Sequence, residues 1–360
     1  QQGLGIITRL NNGYNSEGTI PYASQYDSFA AQCASFVAGS KGCKIWVIGN
    51  ETNFPGERPG NSNGSGGEVI TAPMYAQCFA KCRAAIKKVA GHSDDWVIPS
   101  APAPWNNQTA YAGNSSGDWV KYFADTLNEC IKLGQPPDAL ALHTYTHGFK
   151  ATLITSEEKM NAPFTNRNYH FRAYRDFLGA VPAALKNAPV LITETQATDP
   201  DLWQNQNIGW IQAAYKEIND WNANAANQPI QAVCLFRWQK IEGDKPGWSI
   251  SDRPALVDDF RAALQNAYKV RMPATTTPKP PTSPAPAAIA AAKLYRWMPI
   301  NTAAALYQFA AKNNLGYPQT DEFEFIHDGA GYIAQVYNGG IVYVKKGDWG
   351  NVKWVKKPNE

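Results

Sequence analysis

Lys44-Ile45-Trp46-Val47-Ile48-Gly49-Asn50-Glu51-Thr52 is an apolar run that ends in an amide and a carboxylate. Side chains alternate faces along a strand, so Ile45, Val47, Gly49 and Glu51 share one side, and the carboxylate leaves the strand on a lining face. Leu140-Ala141-Leu142-His143-Thr144-Tyr145-Thr146-His147 and Val190-Leu191-Ile192-Thr193-Glu194-Thr195-Gln196 repeat the pattern, and Ile230 to Phe236 runs into Arg237 and Trp238. Leu4 to Leu10 and Trp96 to Pro99 complete six strand candidates. Amphipathic segments separate them: Ser24 to Ala38, Met74 to Val89, Asp118 to Leu133, His170 to Ala180 and Trp210 to Asn222, with Pro254 to Tyr268 closing the series. Strands alternating with helices predict a parallel sheet with helices outside. Six such steps before residue 272 fit a (β/α) barrel better than an open nucleotide-binding fold, and no Gly-rich phosphate loop follows any strand.

Composition narrows the function. Lys+Arg 33 against Asp+Glu 30 gives a net charge of +3, and charged residues make up only 18% while aromatics reach 12%. That excludes a disordered or nucleic-acid-driven protein. No apolar run reaches the roughly 18 residues of a membrane span, and the chain opens Gln1-Gln2 without a charged start or signal core, which reads as soluble and already processed. Six cysteines (Cys33, Cys43, Cys78, Cys82, Cys130, Cys234) allow 15 disulfide pairings; buried thiols and one or two bridges both stay open. The five histidines form no ligand-like group with these thiols, so neither a metal site nor a cofactor is expected.

The sharpest composition shift runs through residues 273–290, rich in Pro, Thr and Ala and free of aromatics. It reads as a semi-rigid linker between a barrel domain, 1–272, and a small module, 291–360. In the module, Asn301 to Asn313 reads as a helix, and four short strands follow, separated by Asp328-Gly329, Asn338-Gly339-Gly340 and Gly347-Asp348-Trp349-Gly350. This is a small α+β unit. Tyr332, Tyr337, Trp349 and Trp354 are candidates for a sugar-binding face, with core packing the competing use.

Polar residues at the C-terminal ends of parallel strands are where a barrel places chemistry. Two carboxylates, Glu51 and Glu194, at corresponding strand ends beside His143 and Tyr145 match glycosidic cleavage, in which one acid protonates the leaving oxygen and the other attacks the anomeric carbon or activates water. Asn50-Glu51 ending one strand, Glu194 ending another three steps later, His143 and Tyr145 between them, and Trp238 after the last strand together resemble the retaining TIM-barrel glycosidases of clan A, over residues 4–268. The resemblance implies a (β/α)8 TIM barrel with Glu51 as acid/base and Glu194 as nucleophile. It also implies Asn50 as a contact to the sugar 2-hydroxyl, Tyr145 as donor to Glu194, and Trp238 as the floor of the cleaved-sugar subsite.

One departure stands out. The family has three strands before its Asn-Glu pair, and only Leu4 to Leu10 precedes it here; the first two strands, and the family's strand-two arginine with them, lie upstream of the given sequence, come from another chain, or are absent from a barrel incomplete by nature. Arg9 is only a poor substitute. Trp105, Trp203 and Trp248, in polar strand-end loops, are further candidates for stacking on sugar faces, and the loop Asn53 to Gly67 reads as a mobile rim. The expected protein is a secreted or cell-surface hydrolase acting on β-linked polysaccharide, with the C-terminal module holding cell wall or insoluble glycan. The alternative is a non-catalytic carbohydrate-binding or structural surface protein on a degenerate barrel.

Overall fold

The computed structural model describes residues 5–243, 246–266, 268 and 301–357; the Pro/Thr-rich stretch at 273–290 lies outside the described residues. The chain divides into two compact units, Ile7–Pro273 on one side and, on the other, Ala274–Glu360 with the first six residues.

Among the described residues of the larger unit, six strands of four or more residues alternate with six α-helices: β1 Ile7–Leu10, α1 Tyr26–Gly39, β2 Ile45–Ile48, α2 Ala72–Lys87, β3 Trp96–Pro99, α3 Trp119–Lys132, β4 Leu140–His143, α4 Ala173–Gly179, β5 Val190–Thr195, α5 Trp210–Ala223, β6 Ile230–Leu235 and α6 Pro254–Gln265. The mixed α/β class and the order of elements are those the periodicity predicts. The strands form two parallel sheets, β1-β2-β3 and β4-β5-β6. Among the described residues, no strand pairs with the outer edge of β1 or of β6.

Helix starts follow local chemistry. Asp118 accepts from the backbone N–H groups of Val120 and Lys121 to cap α3, and Thr71 accepts from Met74 to cap α2. At the start of α5 the cap comes from another helix, because the buried Asp259 of α6 accepts from Ile211 and Gln212. Helix faces then close on the sheets: Tyr26, Phe29 and Val37 of α1 and Tyr75, Cys78 and Phe79 of α2 pack with Trp46, Ile48 and Val97. The second sheet is covered by Phe123, Tyr174, Phe177, Trp210 and Leu256 around Leu140, Leu142, Val190 and Ile192. Among the described residues no disulfide forms; five of the six cysteines are buried, and Cys234 is half-buried.

One side chain bridges the two sheets where no ladder joins them. Where β3 meets the segment leading into β4, Asp138 donates its N–H to Val97 O (3.3 Å) and accepts from Val97 N at Oδ2 (3.0 Å). Its carboxylate also pairs with Arg83 (3.1 Å) and Lys87 (3.0 Å) of α2. A carboxylate thus replaces a strand ladder at this seam.

Among the described residues the C-terminal unit has one helix, α7 Ala305–Lys312, and an antiparallel sheet in the order β7 Phe323–His327, β8 Ala330–Tyr337, β9 Gly340–Lys345, β10 Lys353–Val355. Leu306 and Ala310 pack with Tyr337, Val342 and Val344. Tyr337 is fully buried, so it serves the core and not a sugar-binding face. The aromatic cluster of the sheet is Phe325, Tyr332 and Tyr343, with Phe325 stacked on Tyr332 at 5.1 Å and 18°. Among the described residues no helix is long and apolar enough to cross a membrane.

Removing a buried carboxylate that serves two cations and a backbone N–H leaves those charges unpaired, so Asp138→Ala should cost about 3 kcal/mol of stability. Urea unfolding of the variant measures this; a loss under about 1 kcal/mol would mean that the seam is held by something else.

Candidate active site

Parallel strands present all their C-terminal ends on one side, which brings Arg9 (β1), Asn50 and Glu51 (after β2), His143 and Tyr145 (end of β4 and just beyond) and Glu194 (β5) together. Two local irregularities aim these groups. After β2, Gly49 takes φ +74°, and an added Cβ there would sit 2.7 Å from Ile20 Cγ2, so only glycine fits the turn. Glu51 itself has φ +37°, a strained value for a residue with a side chain. Between β4 and β5 the register slips by one residue after Leu142↔Ile192, so His143 lies opposite Glu194.

Glu194 is the most tightly held group. Arg9 Nη1 donates to its Oε1 at 2.5 Å, Tyr145 Oη donates to its Oε2 at 3.0 Å, and His143 Nδ1 lies 3.9 Å from Oε2. Burial pushes the Glu194 carboxyl up, but His143, Arg9 and the hydrogen bonds from Arg9 and Tyr145 outweigh it and hold the group below its ordinary value. Burial and the neighbouring Glu194 and Glu51 charges raise the Tyr145 phenol far above its ordinary value, so Tyr145 stays a neutral donor. Glu51 Oε1 lies 2.8 Å from His143 Nδ1 and 3.4 Å from Tyr145 Oη. Asn50 Oδ1 accepts from Arg9, and Asn50 Nδ2 donates to Glu57 Oε1 at 3.1 Å.

Of the sequence candidates, Glu51, Glu194, Asn50, His143 and Tyr145 converge. Trp105 borders them: its backbone has φ +59°, its Nε1 donates to Asn168 O, and its ring lies 6.2 Å from Tyr145 and 4.3 Å from His147. A cavity of about 340 Å³ opens beside it, lined also by Tyr169, Glu158 and Met160. The other tryptophan candidates have packing partners of their own. Trp203 is a core residue, packed edge-on against Trp210 (4.8 Å) and Phe149, with Nε1 donating to Phe236 O. Trp238 is half exposed, its ring 6.0 Å from Phe260 of α6; β6 ends at Leu235, so the strand's alternation does not carry to it. Trp248 packs on Phe236, with Arg237 against its ring.

Two further corrections concern charge and the rim. Arg9 is no weak stand-in, since it is the ion-pair partner of Glu194. The loop Asn53 to Gly67 is pinned: Asn53 bonds Ala103, Arg58 is buried against Gln108 O and Thr109, and Asn61 donates to Gly56 O and Arg58 O. This loop also delivers Glu57, which strand periodicity does not single out among glycines and prolines. Glu51, His143 and Glu194 each offer a ligand atom within 4.8 Å of the others, a geometry that could hold a cation. The Arg9 guanidinium already neutralises Glu194 and would repel one.

No protein-family profile matches the sequence, and no curated protein matches it. Among solved structures the chain is similar to a glucosidase from Croceicoccus marinus (12% identity, 70% of this chain and 45% of that one, TM-score 0.42). It is also similar to a glycoside hydrolase family 44 xyloglucanase from Paenibacillus polymyxa (13%, 60% and 46%, 0.37) and to a GH128 endo-β-1,3-glucanase from Pseudomonas viridiflava (14%, 72% and 78%, 0.35). The chain spans less than half the length of the first two. At such identities and TM-scores these likenesses carry no argument about function, which rests on the geometry of the acids and their neighbours.

Because the folded Glu194 value is depressed, its ionised form contributes stability above the ordinary carboxylate range, and that contribution is lost as pH falls through the depressed value. In Arg9→Met burial is less opposed and this contribution shrinks. The deficit of the variant in thermal unfolding should therefore be largest near neutral pH and close as pH falls toward about 3. A deficit constant with pH would contradict the pairing.

Proposed function

We propose that this chain is a secreted or cell-surface glycoside hydrolase that contributes six strand–helix units of a (β/α)8-type barrel, cleaving β-linked polysaccharide with retention by double displacement. The observation that carries the reading is the spacing of the two acids: an oxygen of Glu51 lies within 4.8 Å of an oxygen of Glu194. Retaining pairs stand about 5–5.5 Å apart, whereas inverting pairs leave about 6.5–9.5 Å for a water.

The roles follow from the surroundings. Glu194, ionised and gripped by Arg9 and Tyr145, attacks the anomeric carbon. Glu51 gives its proton to the leaving oxygen, then takes one from the water that releases the sugar from Glu194. His143, bonded to Glu51 and close to Glu194, fixes the first acid beside the second. Trp105 and its adjoining cavity offer a ring and a wall for a neighbouring sugar. A second reading, a non-catalytic glycan-binding protein, is favoured by one observation, the unpaired edges of β1 and β6 among the described residues.

Substitution separates the two. Glu194→Gln should abolish turnover of every β-glycoside. Glu51→Gln should lose about 10²–10⁴-fold in kcat/KM on poor leaving groups and keep kcat/KM within about tenfold of the parent on 2,4-dinitrophenyl glycosides, where protonation matters little, while kcat falls on both because release of the sugar has lost its base. Equal losses in kcat/KM on all substrates would overturn the roles, and a parent without turnover that still binds glycan would favour the second reading.

The C-terminal unit contributes no facing acid pair among its described residues, and its exposed aromatics, Phe325 and Trp349 among them, suit glycan or cell wall. With residues 273–290 as spacer, tethering raises the local concentration of substrate without new contacts. Cleavage within residues 275–285 should leave turnover of soluble oligosaccharides unchanged and weaken retention on insoluble glucan or xylan. Loss of soluble turnover would make the unit part of the catalytic fold.

A further inference from the structure

Beyond the acid pair, a third carboxylate reaches the site. Glu57 sits at the end of the turn Pro55–Glu57 in the loop after β2. Its Oε1 accepts from Asn50 Nδ2 at 3.1 Å, while Asn50 Oδ1 accepts from Arg9, whose Nη1 grips Glu194. This contact fixes which way the Asn50 amide points, since its NH₂ must face the carboxylate and its oxygen the guanidinium. Thr19 clasps both residues: its N–H donates to Glu57 O at 3.0 Å and its hydroxyl to Asn50 O at 2.8 Å.

We propose that Glu57 is a positioning residue of the site, orienting Asn50 and through it Arg9, and that its carboxyl group titrates with the pair and helps set the pH range of the enzyme. The charged groups facing it come from three strands: Arg9 of β1, Glu51 after β2 and Glu194 of β5. Burial and the Glu51 charge push the Glu57 carboxyl up to about 7, with Asn50 and Arg9 opposing and Glu194 adding to the rise. The role in turnover rests on the glycosidase reading; the titration does not.

The experiment compares Glu57→Gln and Glu57→Ala with the parent in the full chain. Gln can still accept from Asn50 but carries no charge. On phenyl β-glycosides, whose leaving group needs protonation, Glu57→Gln should keep kcat within about threefold, and the change in kcat/KM that the parent shows around pH 7, where Glu57 gains its charge, should disappear. Glu57→Ala should lose about tenfold or more in kcat, and Glu57→Gln restores what Ala loses.

A second readout needs no activity. A carboxyl whose folded value is raised destabilises the fold progressively as pH climbs from its unfolded value, near 4.5, through about 7. The melting temperature of Glu57→Gln should therefore fall relative to the parent's as pH drops from about 8 to about 5. A pH profile of Glu57→Gln identical to the parent's, or full kcat in Glu57→Ala, would overturn the role in catalysis. A melting difference flat across pH would overturn the titration. If the parent cleaves no glycoside, the glycosidase reading fails, and the melting comparison alone still decides whether Glu57 titrates as described.

Discussion

The Arg9–Glu194 ion pair ties the first strand of the parallel array to the fifth across a gap that no described ladder closes. A carboxylate withdrawn from water stays ionised only if charge and hydrogen bonds replace the lost hydration. Glu194 is 8% exposed, and Arg9, His143 and Tyr145 supply that replacement. The other contacts of the site follow from this need. Asn50 is held by the same guanidinium, and Tyr145 spans from Glu194 to Glu51.

That arrangement needs parallel strands in register, and the register is maintained by unequal means. Within each sheet the ladders run continuously or with local slips, one of which places His143 opposite Glu194. Between the sheets, Asp138 substitutes for a ladder at the opposite end of the strands from the acids. The backbone strain at Glu51 is borne where the strand gives way to the loop, held by Glu51 N donating to Ala101 O and by the Glu51–His143 contact.

Much of this is legible in the sequence. Apolar runs ending in Asn50-Glu51, His143 and Glu194 mark both the strands and the acids, since period-two alternation assigns a face directly. The tryptophans are not legible, because a ring in a polar loop serves core or cleft equally well: Trp203 is core, Trp238 turns toward Phe260, and Trp105 lies beside Tyr145. Arg9 is undervalued when its strand is read by its place in a family pattern, whereas its charge next to a buried acid is what counts. Glu57 escapes sequence reading because nothing in Pro55-Gly56-Glu57-Arg58-Pro59 shows that the loop folds back onto Asn50. Tyr337 cannot be told from a surface aromatic until Leu306 and Ala310 are seen to cover it.

The central claim is that Glu194 forms a covalent bond to the sugar. A 2,4-dinitrophenyl 2-deoxy-2-fluoro-β-glycoside slows both steps but carries a good leaving group, so on incubation the glycosyl-enzyme should accumulate. Peptide mass spectrometry should then find one fluoroglycosyl group on the peptide carrying Glu194. A label on Glu51 instead, or an unlabelled protein that nonetheless turns over the parent glycoside, would contradict the account.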